Sequence, residues 1–86
     1  MDPHKILLHP HMSEKSVSLI ERENKIVFIV SRKATKDQIK GAIEKMFDVK
    51  VDNINTLIGF KGEKKAFIKL KPESKAMDVA TKLGMV

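Results

Sequence analysis

The chain has 86 residues, 42% hydrophobic and 33% charged, with 17 Lys+Arg against 11 Asp+Glu and a formal net charge of +6. That length and balance predict one small folded domain over residues 1–86, basic enough to seek a polyanion: nucleic acid first, an anionic membrane surface second. The absence of Cys excludes a disulfide framework and a Cys-bearing zinc site, and the absence of Trp and Tyr, with only four Phe, leaves few rings to stack on unpaired bases.

Ile6-Leu7-Leu8 is a short apolar run that His9-Pro10 stops. It suits a short edge strand, because Pro10 has no N–H for a ladder. Ser13 is placed to cap a helix running to Glu21 or Arg22, with Val17, Leu19 and Ile20 as its apolar side and Glu23-Asn24 as its exit turn. Lys25 to Ser31 reads as a strand of β-branched and aromatic residues. It is apolar at both parities, the mark of a central strand covered on both faces. Thr35 and Gln38 then form a capping-box pair. Ile39, Ala42, Ile43, Met46 and Phe47 follow the spacing of one apolar helix stripe, and Asp48 marks the exit.

Val49 and Val51 open a second long strand that Ile54, Ile58 and Phe60 continue. Its apolar parity shifts between Val51 and Ile54, which predicts a bulge near Asp52-Asn53. Lys61-Gly62-Glu63 suits a hairpin loop, and Lys64 to Lys71 is the returning strand. On it, Ala66, Ile68 and Leu70 face one way, while Lys65, Phe67, Lys69 and Lys71 face the other. Pro72 stops it. A last helix has Ala76, Val79, Ala80 and Leu83 on one side, with Gly84 suited to the position after its end. The order short β, α, β, α, β, β, α predicts an α+β domain: a four-stranded, mainly antiparallel sheet covered by about three helices.

No stretch reaches the roughly 20 apolar residues of a membrane span, and Met1-Asp2-Pro3-His4-Lys5 lacks the pattern of a signal peptide. The expectation is a cytoplasmic chain with no membrane insertion. His4, His9 and His11 lie close together, but their spacing falls on no regular face and no metal or cofactor is expected. There is no P-loop, GxGxxG or GxSxG, and no catalytic residue is assigned. The Lys65-Phe67-Lys69-Lys71 row, with Lys61 and Lys64 at the hairpin, has the character of a phosphate-neutralising face. The plainer alternative is a solvated strand face whose lysines block edge pairing. Arg32-Lys33 with Lys36 and Lys40 forms a second cluster around a helix N-terminus, diluted by Asp37 and Glu44.

Several stretches together resemble one family, the universal large-subunit ribosomal protein number twenty-three in its archaeal form. His9-Pro10-His11-Met12-Ser13-Glu14-Lys15-Ser16 is similar to its N-terminal "hP-x-x-TEK-S" segment, with Ser13 for the more usual Thr. Ala34 to Lys40, with Ala42-Ile43-Glu44, Phe47, Val49 and Val51, resembles its central helix and strand entry. Val51-x-x-Ile54-Asn55-Thr56 and Lys64 to Lys71, with Val79 at the right distance, resemble two further motifs. The likeness runs through nearly the whole chain.

The resemblance implies a non-enzymatic protein that binds the third domain of large-subunit rRNA at the rim of the nascent-polypeptide exit tunnel. It is expected as a monomer within the ribosome, beside neighbouring ribosomal proteins. The signal recognition particle and the protein-conducting channel dock on that family's surface. The expected rRNA contacts are Lys15, Arg32, Lys33, Lys36, Lys40, Asn55, Thr56, Lys61, Lys64, Lys65 and Lys69. Glu14 matches the acidic residue that meets a chaperone in bacterial relatives and is the expected partner-docking residue; archaea lack that chaperone, which leaves its partner open. The long basic tunnel hairpin of bacterial relatives is here only Gly59 to Glu63, and Gly41 stands where a basic residue is common. Two alternatives belong to other classes. An acylphosphatase needs an Arg-bearing glycine loop where this chain has His9-Pro10-His11-Met12. An RRM-type module needs paired strand aromatics, for which Phe28 and Phe67 are the candidates.

Overall fold

A computed structural model describes residues 3–11, 13–59 and 61–83. Phe60, Gly84 and Met12, which the sequence places in a strand, after a helix and in the N-terminal motif, lie outside the described residues, as does the side chain of His4. The elements run α1 (Pro3–Ile6), β1 (Leu7–Pro10), α2 (Glu14–Glu23), β2 (Lys25–Val30), α3 (Lys36–Phe47), β3 (Val51–Ile58), β4 (Lys64–Leu70) and α4 (Ala76–Lys82). The four strands form one antiparallel sheet in the order β1-β2-β4-β3. The architecture is the expected α+β sheet with helices, preceded by the single helical turn α1. That turn takes Ile6 out of the expected edge strand; Pro3 stands at its first position, where a missing N–H leaves no helical bond unmade.

β2 is central and buried at both parities, with Ile26 through Val30 all nearly inaccessible. Ile26, Phe28 and Val30 join Ala66, Ile68 and Leu70 of β4 in the main core. Ile39, Ala42, Ile43 and Phe47 of α3 cover them, with Val79 and Ala80 of α4 and Ile20 of α2. Val27 and Ile29 turn to the opposite face, outside this cluster. The parity shift in β3 is a bulge at Asp52: Val51 pairs with Leu70 and Asn53 already with Lys69. A second irregularity in β1 turns Leu8 outward, 55% exposed. β1 is an edge strand as expected, and Pro10 ends it; His11 resumes the bonding by donating to the Val27 carbonyl at 2.9 Å.

Helix ends follow the local chemistry. Ser13 caps α2 by accepting the Ser16 N–H at 3.1 Å. The capping box of α3 is complete: the Gln38 N–H donates to Thr35 Oγ1 at 3.2 Å, and the Thr35 N–H donates to Gln38 Oε1 at 3.0 Å. Both helices end on a left-handed residue, Asn24 and Asp48. Thr35→Ala is expected to cost about 1 kcal/mol of unfolding free energy, read as a lower urea midpoint with an unchanged m-value. A loss below a few tenths of a kcal/mol contradicts the cap's role.

α4 solves its start differently. Lys75 supplies no side-chain cap, and the Ala76 N–H instead donates to Asn24 Oδ1 at 2.7 Å. Asn24 Nδ2 faces the carbonyls of Leu70 (3.2 Å), Lys71 (3.3 Å) and Ser74 (2.8 Å). One side chain at the end of α2 therefore fixes the exit of β4 and the entry of α4.

Candidate nucleic-acid interface

The strand order bears on whether the β4 lysines guard an edge. β4 has a hydrogen-bonded neighbour on each side, β2 and β3. A lysine there has no edge pairing to block, so the edge-guarding alternative fails. The two edges, β1 and β3, contain no lysine, and β3 interrupts its ladder with the Asp52 bulge. Lys65 and Lys69 pair across the sheet with Ile29 and Leu57, and with Lys25 and Asn53, on the face away from the core. The paired strand positions of that face are Lys25, Val27 and Ile29, then Asn53, Asn55 and Leu57, with no carboxylate among them. Lys71 lies just past the end of β4.

The two basic clusters of the sequence meet at one end of the sheet. Arg32 and Lys33 follow β2, while Lys61 and Lys64 flank the hairpin turn. Arg32 Nη1 lies only 3.7 Å from where a Cβ on Gly62 would stand, so the guanidinium lies over the turn. Gly62 sits at φ +84°, a conformation open to glycine, and its N–H closes the turn onto the Gly59 carbonyl at 2.9 Å. Lys64 is half-buried and donates from Nζ to the Ala34 carbonyl at 2.7 Å. Its first task is thus to tie the hairpin to the loop before α3.

The remaining expected contacts separate by place. Lys36 and Lys40 are exposed on α3 and line a shallow groove with Asp37, Asp52 and Asn53, so carboxylates temper the field there. Glu44 is also a structural acceptor, receiving the Val51 N–H at 3.1 Å. Asn55 and Thr56 point to opposite faces: Asn55 pairs with Phe67 on the lysine face, and half-buried Thr56 pairs with Ala66 on the core face. They do not share one contact surface. Glu14 and Lys15 are exposed in the first turn of α2, where the Glu14 charge also suits the helix dipole.

Among the described residues, the ion pairs are Lys25–Glu23 at 3.6 Å and Lys50–Glu73 at 3.9 Å. None of the cations expected to meet RNA takes part in either. His11 behaves as a structural group: its Nδ1 lies 2.6 Å from the buried Ser16 hydroxyl, which in turn lies 2.9 Å from Ser13 Oγ. Sequence reasoning missed the role of Asn24 because its partners are distant in the chain, and missed that of Ser16 although its partners, Ser13 and His11, are close by.

Phe28 and Phe67, the candidates for an RRM's aromatic pair, do not share a face. Phe28 faces the core, 2% exposed, with its ring centroid 6.3 Å from that of Phe47. Phe67 pairs with Val27, one residue earlier in β2, and so lies on the other face. The two rings cannot serve one surface.

An antiparallel sheet packed with helices, carrying lysines on one face and cations at its hairpin end, defines a basic α+β domain. The profile of the family described as Ribosomal protein L23 matches residues 5–79. The chain is 51% identical over 85 residues to the large ribosomal subunit protein uL23 of Methanococcus aeolicus, covering 99% of each chain. It is 45% identical over 85 residues to the large ribosomal subunit protein uL23 of Methanothermobacter thermautotrophicus, again covering 99% of each. The chain belongs to the ribosomal protein L23 family.

Proposed function

We propose that this chain is a single-domain, non-enzymatic component of the large ribosomal subunit. In this reading it binds the third domain of large-subunit rRNA near the polypeptide exit tunnel, in the cytoplasm. Whole-length family membership supports the ribosomal assignment. The observation that carries the RNA contact is the lysine row on a central strand, where neither edge protection nor ion pairing accounts for it. Lys65 and Lys69, with Arg32, Lys33 and Lys61 at the hairpin end, neutralise phosphates of folded RNA. The tether from Lys64 to Ala34 holds that end in shape before RNA arrives. The opposite contribution comes from the exposed first turn of α2, where Glu14 offers a contact to factors such as the signal recognition particle and the protein-conducting channel.

A transcript of the third rRNA domain is expected to bind the purified protein, with log affinity falling steeply as log salt rises. A flat salt response, or equal affinity for unrelated RNA of the same length, overturns the proposal. An acyl-phosphate hydrolysis assay addresses the enzyme alternative, and turnover above buffer would reverse the non-enzymatic assignment.

A further inference from the structure

The lysine face is not flat. Between α2 and the sheet lies a hollow of about 230 Å³. Its apolar lining is Leu19, Val27, Leu57 and Phe67; its polar wall includes Ser13; and Lys15 and Lys65 stand on it from the helix and the strand. Leu57 is 58% exposed and Phe67 half-buried, so apolar surface is open to a partner within a cationic surround. A nucleotide has the matching distribution of properties: a flat apolar base with a polar edge, carried between two negative phosphates. Among the described residues, no carboxylate lines the hollow itself, while Asp52, Glu21 and Glu23 gather at the far, Lys69 end of the row. An acidic peptide would satisfy the lysines. The ring in the hollow, set between two cations, favours a base.

We infer that the hollow receives one unpaired rRNA base, stacked on the Phe67 ring, with Lys15 and Lys65 holding the phosphates on either side. The inference deepens the rRNA-binding proposal and rests on it. It also changes what the low aromatic content means. A single ring suffices for a single splayed base, whereas tracking a whole unpaired strand takes several.

Phe67→Leu keeps an apolar side chain of similar reach and removes the ring. It is expected to weaken binding of the third-domain transcript roughly tenfold, because stacking is removed. The salt slope should stay unchanged, since no charge is altered. Lys65→Ala is expected to weaken binding and flatten the slope by roughly 0.7–0.9. Adding the transcript to the unsubstituted protein is expected to shift the Phe67 ring proton resonances, which keeps the test open if Phe67→Leu folds poorly. Parent-like affinity in folded Phe67→Leu, or Phe67 resonances that do not move on RNA binding, overturns the inference. So does finding the hollow covered by a neighbouring polypeptide in the assembled subunit. Loss of rRNA preference in the unsubstituted protein is a different failure, that of the underlying proposal.

Discussion

Asn24→Ala is expected to lower the unfolding free energy by about 3 kcal/mol. Two losses add. Asn24 has φ 55°, in the left-handed region where alanine carries a strain of roughly 1 kcal/mol or more and asparagine is better tolerated. The side chain also accepts from Ala76 and donates toward the carbonyls of Leu70, Lys71 and Ser74. Each hydrogen bond contributes about 1 kcal/mol net, and more when a partly buried partner is left unsatisfied. An 86-residue domain has a total stability on the order of 4–13 kcal/mol, so the loss is a large share. Asn24→Gly separates the two contributions, because it keeps the backbone conformation and removes the bonds. Asn24→Asp keeps the acceptor for Ala76 and turns a carboxylate toward carbonyl oxygens; it is expected to be worse than Gly. Urea unfolding of the three variants reads the order. An alanine variant within about 0.5 kcal/mol of the parent would show that water replaces these bonds at no cost.

The second large effect concerns charge. Removing Arg32, Lys33, Lys61 and Lys65 together as alanines is expected to flatten the log–log salt slope of rRNA binding by roughly 3, at about 0.7–0.9 for each phosphate no longer neutralised. At ~0.1 M salt the corresponding fall in affinity is about a thousandfold. The control is Lys25→Ala with Lys50→Ala. Those lysines already face Glu23 and Glu73, and their removal is expected to change the slope little. Equal slopes for both sets would mean that binding follows net charge rather than placed cations. Filter binding or fluorescence anisotropy across a salt series, with the same transcript, gives both numbers.

Much of this fold is legible where the signal is local. The Thr35–Gln38 capping box, the stripe from Ile39 to Phe47, the two-sided β2 and the bulge at Asp52 each depend on residues within a few positions of one another. The candidate site is legible as a set of cations but not as a surface. Its shape depends on β4 lying between β2 and β3, a choice of strand order that no local pattern encodes. That insertion brings Arg32 over Gly62 and places Lys64 against Ala34. It also turns Phe28 and Phe67 to opposite faces, although both sit in strongly β-forming runs. Asn24 reads locally as an ordinary turn residue, because its hydrogen-bond partners lie 46 to 52 positions away. The turn α1 has no apolar periodicity in its four residues to reveal it.

The central position of β4 also governs the order in which this chain acquires its structure. A ribosome delivers β1, β2 and β3 first, yet β3 has no strand to pair with and β2 has only the four-residue β1. A two-stranded ribbon of that length is marginal in water. The sheet closes only when residues 64–70 arrive, and the same stretch delivers the first of the carbonyls that Asn24 needs. Sheet, α4 docking and core are therefore expected to form together once β4 is available, at a rate governed by contacts distant in the chain.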